Sequence, residues 1–158
     1  MPWLSHQIRS FEISTPEGAL EVRGIEGDLQ TAITETYARS AKALVQVGPV
    51  KPGDADRPVG LAFEFVALAN PYAGADVLPV RLSWKGEPVE GAPISILRKA
   101  DEVERHLVRT DADGRADIPI GGGGEFLLNA VHLEPVEVEK HVWESTWASL
   151  TFGLARRQ

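Results

Sequence analysis

The sequence predicts an all-β protein, an immunoglobulin-like or transthyretin-like antiparallel β-sandwich. The 15 Gly and 11 Pro of the 158 residues lie at short intervals between apolar runs, which is typical of short strands joined by tight turns. Several runs alternate apolar and polar side chains with the period of two that a half-buried strand requires. Helical periodicity is scarce, and about eight to ten short strands separated by regular turn signals favour a sandwich of two sheets.

The amino-terminal third contains three predicted strands. Residues 8–14 and 19–23 flank a Pro-Gly turn, and residues 35–47 alternate well enough to form a long strand. Residues 31–43 also contain good helix formers, so a helical start of this strand remains the alternative. Residues 48–60 are rich in Pro, Gly and Asp and lack hydrophobic periodicity, which indicates a boundary loop. We interpret its acidic residues, Asp54 and Asp56, as solvated.

The rest of the chain alternates more clearly. The predicted strands cover residues 61–68, 78–84, 93–98, 104–110, 115–120, 126–133 and 146–154. We therefore expect an amino-terminal β segment, residues 1–48, that packs as an added strand or hairpin on a β-sandwich domain, residues 61–158. One compact domain is the expected organisation, as the length of the chain suggests.

Composition excludes several classes of protein. Apolar residues make up 43% and charged residues 25% of the chain, as in globular proteins, and the net charge is −7. A negative chain has no general attraction for phosphate backbones or anionic lipids. The absence of Cys excludes disulfides and thiolate chemistry. We expect no nucleic-acid partner, and no apolar run is long enough for membrane insertion.

Histidines and carboxylates near the carboxyl end form the main candidate metal site. His132 and Glu134 are two residues apart in a predicted strand, so their side chains project from one face. The loop that follows has the length to bring His141 back to them, with Glu144 nearby. Imidazole and carboxylate ligands suit Ni²⁺ and Co²⁺ where thiolates are absent. In the alternative interpretation His132 ends a core strand, bonded to a backbone carbonyl, and His141 is solvated.

Two other sequences resemble ligand-binding loops. The Asp-rich sequence 111–114 is similar to the start of a calcium loop, but position 122 is Gly instead of the bidentate Glu that such loops need. The run of four glycines at 121–124 lacks the following helix of a phosphate-binding loop. We predict a hairpin turn at the first and an unhindered turn at the second.

Aromatic and acidic side chains supply weaker candidates. Trp84, Trp143, Trp147 and Tyr72 are the residues of a possible platform for a sugar or peptide, but we favour packing between the sheets, above all for Trp84, which continues the face of the strand 78–82. No nucleophile motif is visible, and the acidic residues of 134–139 fit a solvated edge better than a glycosidase pair. We therefore expect that the protein is not an enzyme, with a small hydrolase as the third choice.

A resemblance to known families rests on ordered segments of the sequence. From residue 78 onward the order of strands and turns is similar to that of transthyretin-like and carboxypeptidase-regulatory-like modules. A more specific resemblance is to a bacterial family, number 4198 among domains of unknown function. It is carried by residues 37–48 (YARSAKALVQVG), 58–61 (PVGL), 70–72 (NPY), 78–81 (LPVR), 110–114 (TDADG), 128–132 (LNAVH) and 143–152 (WESTWASLTF).

This second resemblance implies a location and a role. Members of the family are described as periplasmic proteins associated with nickel or cobalt transport, and they carry a signal peptide, which this sequence does not show. The resemblance implies a non-catalytic periplasmic binding or accessory protein whose partner is a metal-uptake transporter or another envelope protein. We name His132 as the first candidate ligand, with Glu134 and His141 in support. The alternative is a structural or interaction module that binds a protein or glycan partner without metal.

Overall fold

The computed structural model describes residues 11–15, 18–22, 34–135 and 142–155, and the side chains of residues 36–135 and 143–155. These residues form eleven strands and one short 3-10 helix, Pro71–Ala73. The strands are β1 (Phe11–Thr15), β2 (Gly18–Val22), β3 (Thr34–Ala43), β4 (Phe63–Ala67), β5 (Val77–Trp84), β6 (Glu87–Pro88), β7 (Pro93–Lys99), β8 (Val103–Arg109), β9 (Arg115–Pro119), β10 (Gly124–Pro135) and β11 (Val142–Leu154). No helix among the described residues has the length and apolar character needed to cross a membrane.

The strands form the two layers of a sandwich, so the predicted all-β class is confirmed. One sheet has five strands in the order β3-β11-β10-β7-β8. In the second sheet β5 is the central strand. It pairs with β4 on one side and with both β6 and β9 on its other side. The strands β1 and β2 form a hairpin, and β1 lies against β10.

One pairing departs from the antiparallel pattern that the sequence suggested. β3 runs parallel to β11, with Thr34 opposite Val142 and Ala43 opposite Thr151. Residues 34–43 are therefore strand and not helix, although the strand ends four residues before the predicted limit at residue 47. Through this ladder β3, which belongs to the predicted segment 1–48, is hydrogen-bonded to a strand of the predicted domain 61–158.

The core fills the space between the sheets with the inward-facing residues of each alternating strand. Ile94, Ile96, Leu128 and Leu150 point inward from the five-stranded sheet and are fully buried. Opposite them lie the buried side chains of the second sheet, among them Phe63, Phe65, Leu78, Val80, Leu82 and Ile118. Burial of this apolar surface is the main force that holds the layers together.

The Asp-rich sequence 111–114 forms the predicted hairpin turn. The Asp111 carboxylate accepts hydrogen bonds from the backbone N–H groups of Asp113 and Arg115 at 2.9 and 2.8 Å. Gly114 has φ +70°, and a Cβ atom placed there would lie 2.5 Å from the Leu82 carbonyl oxygen. The acidic residue thus fixes a turn that only Gly fits.

β4 differs from the other strands because both of its faces are buried. Phe63, Phe65 and Ala67 point into the core, whereas Glu64 and Val66 point away from it and are also buried. The loop formed by residues 48–62 covers this outer side. The covered side holds the charged groups described below.

Candidate functional site

His132 lies on β10 at the end of the core. It is on the same face of the strand as Leu128 and Ala130, in accordance with the alternation of side chains. Its ring stacks on Trp84 of β5, with 4.1 Å between ring centroids and 28° between planes. The Phe63 ring lies 5.8 Å from it. The two sheets therefore hold the imidazole in a fixed orientation.

Glu134 lies next to His132, as the period of two predicts. Its Oε1 atom is 3.5 Å from His132 Nε2. The Glu134 side chain is 43% exposed and the His132 side chain 18% exposed. His132 Nε2 is itself buried and makes no hydrogen bond with any described residue. A buried polar atom without a partner is rare in proteins, because it has lost its water without compensation. The structure thus brings together two of the three predicted metal ligands.

The spacing of these two donors suits a shared metal ion. Donors that each lie about 2.1 Å from a tetrahedral ion are about 3.4 Å apart, against about 3.0 Å for neighbouring octahedral ligands. The observed 3.5 Å is close to the first value. A small rotation of the half-exposed Glu134 side chain reaches the second.

The third predicted ligand, His141, lies outside the described residues, as does His6. Within the part of the chain that the structure describes, no three His, Asp or Glu side chains are close enough to hold a metal ion together. Glu144 of β11 is directly opposite Glu134 in the ladder. Like charges placed opposite each other repel.

The aromatic residues of the possible platform do not share one surface. Trp84 faces His132 between the sheets, whereas Trp147 alternates with the core residues Ala148 and Leu150 and so lies on the outer face of β11. The Tyr72 hydroxyl donates a hydrogen bond to the Leu44 carbonyl at 2.6 Å. Trp84, Trp147 and Tyr72 therefore do not form a common platform.

A buried charged cluster, which the sequence analysis missed, consists of Lys42, Asp56 and Glu64. The Lys42 ammonium lies 2.8 Å from Asp56 Oδ2 and 3.2 Å from Glu64 Oε1, and the three side chains are 9%, 8% and 4% exposed. It also donates to the carbonyls of Arg57 and Phe65 at 3.0 Å each. The expectation that Asp56 is solvated was wrong, because the loop folds back onto β4 and encloses it.

Both carboxylates of the charged cluster bind backbone N–H groups as well. Glu64 accepts from Val59, Gly60 and Leu61 at 2.7 to 3.2 Å. Burial of the Glu64 carboxyl favours its neutral form, but the hydrogen bonds from Val59 and Lys42 outweigh burial, and the pKa lies below its usual 4.5. The carboxylate therefore remains charged and fastens the loop to the strand.

The charged cluster also caps two backbone groups on the free edge of β4. The Leu68 N–H donates to the Pro79 carbonyl on β5. Because the backbone groups of successive residues point to opposite sides of a strand, those of Phe65 and Ala67 point away from β5. Lys42 donates to the Phe65 carbonyl, and Asp56 accepts from the Ala67 N–H at 3.0 Å. An edge whose groups are occupied by side chains is protected from pairing with another chain. The cluster is thus structural, with its polar groups fully bonded.

The region that carries His132, Glu134 and the charged cluster can be compared with known families. Residues 12–134 match the model of a family described as Domain of unknown function (DUF4198). The chain belongs to the DUF4198 family. The match confirms the predicted family and includes six of the seven segments that carried the resemblance, whereas residues 143–152 lie outside it. No curated protein and no solved structure matches this DUF4198 protein significantly.

Three segments that carried the resemblance meet at the end of β3. Lys42, in the segment 37–48, donates a hydrogen bond to Glu64, which follows the segment 58–61. Asn70 of the third donates to Gln46 at 3.0 Å, and Tyr72 binds the carbonyl of Leu44. Their spacing in this DUF4198 chain is thus explained by contacts that join β3, the loop and β4.

Proposed function

We propose that this DUF4198 protein is a non-catalytic binding domain for a divalent transition-metal ion, held first by His132 and Glu134. One observation carries the proposal. The buried His132 Nε2 has no hydrogen-bond partner among the described residues, and it lies 3.5 Å from a carboxylate oxygen. A metal ion bound between the two atoms gives the nitrogen the partner that it lacks.

The donor set favours Ni²⁺, Co²⁺ or Zn²⁺ over Ca²⁺ or Mg²⁺. A neutral imidazole is a strong ligand for the first group, whereas the second group prefers oxygen ligands alone. His141 remains the proposed third ligand, and Glu144 supplies negative charge across the ladder. Protons compete with metal for the imidazole, so binding weakens as the pH falls.

The stacking on Trp84 supports a binding role for His132 in a second way. A ring held between two sheets loses little further freedom when its nitrogen binds a metal, which lowers the entropic cost of binding. The same contact supplies a reporter, because a paramagnetic Ni²⁺ or Co²⁺ ion near His132 quenches the fluorescence of Trp84.

The cellular setting that we propose is the periplasm, where the protein acts as an accessory component of nickel or cobalt uptake together with a transporter or another envelope protein. This proposal is supported by the resemblance of the sequence segments to family members that are described as periplasmic and associated with nickel or cobalt transport. Cell fractionation of the native producer tests the location. Recovery of the protein in the cytoplasmic fraction alone would refute it.

Isothermal titration of chelator-treated protein with Ni²⁺, Co²⁺ and Zn²⁺ tests the site. We expect one ion per chain with micromolar or tighter affinity. His132→Ala should abolish binding, and Glu134→Gln should weaken it about tenfold or more through the loss of one charged ligand. Circular dichroism of each variant establishes that it remains folded.

The chain offers a matched control in a second His–Glu pair. His106 Nε2 lies 3.6 Å from Glu104 Oε2 on β8, with the same spacing of two residues, but both side chains are more than half exposed. His106→Ala should leave the affinity unchanged. If no metal binds to the folded protein, or if His132→Ala binds as tightly as the unaltered chain, the proposal fails. The interpretation as a structural or interaction module then takes its place.

A further inference from the structure

β8 is an exposed edge strand, and no other strand of the described residues pairs with its outward side. It is the last strand of the five-stranded sheet. Val103 and Leu107 on its outer face are 66% and 58% exposed. Apart from Val108, each residue of the strand is exposed. Edge strands of this kind form sheets between molecules unless something blocks them.

The backbone of β8 shows which groups are available. Thr110 N–H donates to Ala92, and the Glu102 carbonyl accepts from Ala100, so even-numbered residues direct their backbone groups toward their own hairpin. The register between β7 and β8 is unbroken over the strand. By alternation, Val103, Arg105 and Leu107 direct their N–H and C=O groups away from the sheet. Among the described residues, no side chain caps these groups in the way that Lys42 and Asp56 cap β4.

From the side-chain sequence of β8 we infer that its partner is β8 of a second copy of this chain, paired antiparallel about a two-fold axis at Arg105. In this register Val103 of each copy is opposite Leu107 of the other. Glu104 of each copy is opposite His106 of the other. The two-fold axis makes each favourable pair occur twice, as in any isologous interface.

Neighbouring registers are less favourable. An axis at His106 places Arg105 opposite Leu107 and Val103 opposite Arg109, so charges face apolar side chains. An axis at Leu107 places Arg105 opposite Arg109, which brings like charges together. The register about Arg105 has one repulsive contact, between the two copies of that residue.

The structure reduces this remaining repulsion. Arg105 Nε donates to Ser95 Oγ of β7 at 3.0 Å. The guanidinium is therefore held by a neighbour on the side of its own sheet. The resulting dimer joins two five-stranded sheets into one sheet of ten strands. It is independent of the proposed metal site, which lies on β10, two strands away from β8 in the same sheet.

Sedimentation velocity at increasing protein concentration tests the dimer. We expect a reversible monomer–dimer equilibrium. Val103→Lys should weaken the dimer about tenfold, since two Val–Leu pairs are lost at once. Val45→Lys is the matched control, because Val45 is 78% exposed and lies outside β8; it should leave the equilibrium unchanged.

A mixing experiment tests the register. Glu104→Lys places a lysine opposite His106, and His106→Glu places a glutamate opposite Glu104, so each variant alone should dimerise weakly. In an equimolar mixture, the new lysine of the first variant is opposite the new glutamate of the second, and the dimer should return. A protein that stays monomeric at the highest concentration overturns the proposal. A dimer whose affinity is unchanged by Val103→Lys would overturn it as well. So would a mixture of the two charge variants that dimerises no more strongly than each variant alone.

Discussion

Replacement of Lys42 by Met tests the role of the charged cluster. Met keeps most of the length and volume of the side chain but removes the ammonium. The change breaks two ion pairs, at 2.8 and 3.2 Å, and two hydrogen bonds to backbone carbonyls. Asp56 and Glu64 then remain buried without a counter-charge.

The expected loss of stability follows from the number of contacts that remain. Removal of one partner from a buried ion pair costs about 3–5 kcal/mol. Glu64 keeps three backbone hydrogen bonds and Asp56 keeps two. We therefore expect a loss of stability at the lower end of this range. A free energy of unfolding reduced by about 3 kcal/mol corresponds to a fall in Tm of about 6–12 °C for a domain of this size.

Urea denaturation at neutral pH, followed by Trp fluorescence, measures this change. The matched control is Lys99→Met, because the Lys99 side chain is 69% exposed and lies 3.6 Å from Glu125; a surface pair contributes at most about 1 kcal/mol. Adding Glu64→Gln to Lys42→Met should recover part of the loss, since it neutralises one of the unpaired carboxylates. A Lys42→Met variant no less stable than the Lys99→Met variant would contradict the account of the charged cluster.

Three further changes test the strand contacts. Because the pKa of Glu64 is lowered in the folded state, its contribution to stability is present above pH 4.5 and is lost as the pH falls through the folded value; urea midpoints at acid pH should fall less steeply in Glu64→Gln. Gly114→Ala should destabilise the protein more than Gly86→Ala does. Both glycines have positive φ, but of the two only Gly114 places the new Cβ against backbone atoms. Equal decreases in Tm for the two variants would disprove this. Leu128→Ala should cost about 2–5 kcal/mol in urea denaturation because it opens a cavity at a fully buried position, whereas a loss under about 1 kcal/mol would mean that the core is not packed as described.

Local patterns predicted most of the strands. Residues 78–84 were expected to be a half-buried strand, and β5 covers Val77–Trp84, because alternation is visible within a few residues. The two-residue strand β6 was not predicted, since so short a segment has no period. The parallel pairing of β3 with β11 was missed as well, because partners so far apart in sequence leave no local signal.

The candidate site was predictable where it depends on one strand only. His132 and Glu134 share a face because strand geometry has a period of two. The stacking of Trp84 on His132 was not predicted, because it joins two sheets. The charged cluster was missed because Lys42 and Asp56 read as solvated residues in a sequence. One feature of the sequence could have indicated the cluster. Glu64 is a single carboxylate within the apolar run 61–68, and a carboxylate buried in a strand needs a counter-charge.

The parallel pairing of β3 with β11 has a consequence for folding. β11 lies between β3 and β10 in the sheet, yet it is the last strand of the described chain, and its Val142 pairs with Thr34. Whether the chain leaves a ribosome or is threaded across a membrane, β3 therefore emerges long before the strand that covers its edge. Closure of such a long loop delays folding, and an unpaired edge is open to aggregation in the meantime. β3 must therefore avoid pairing with other chains until β11 has emerged.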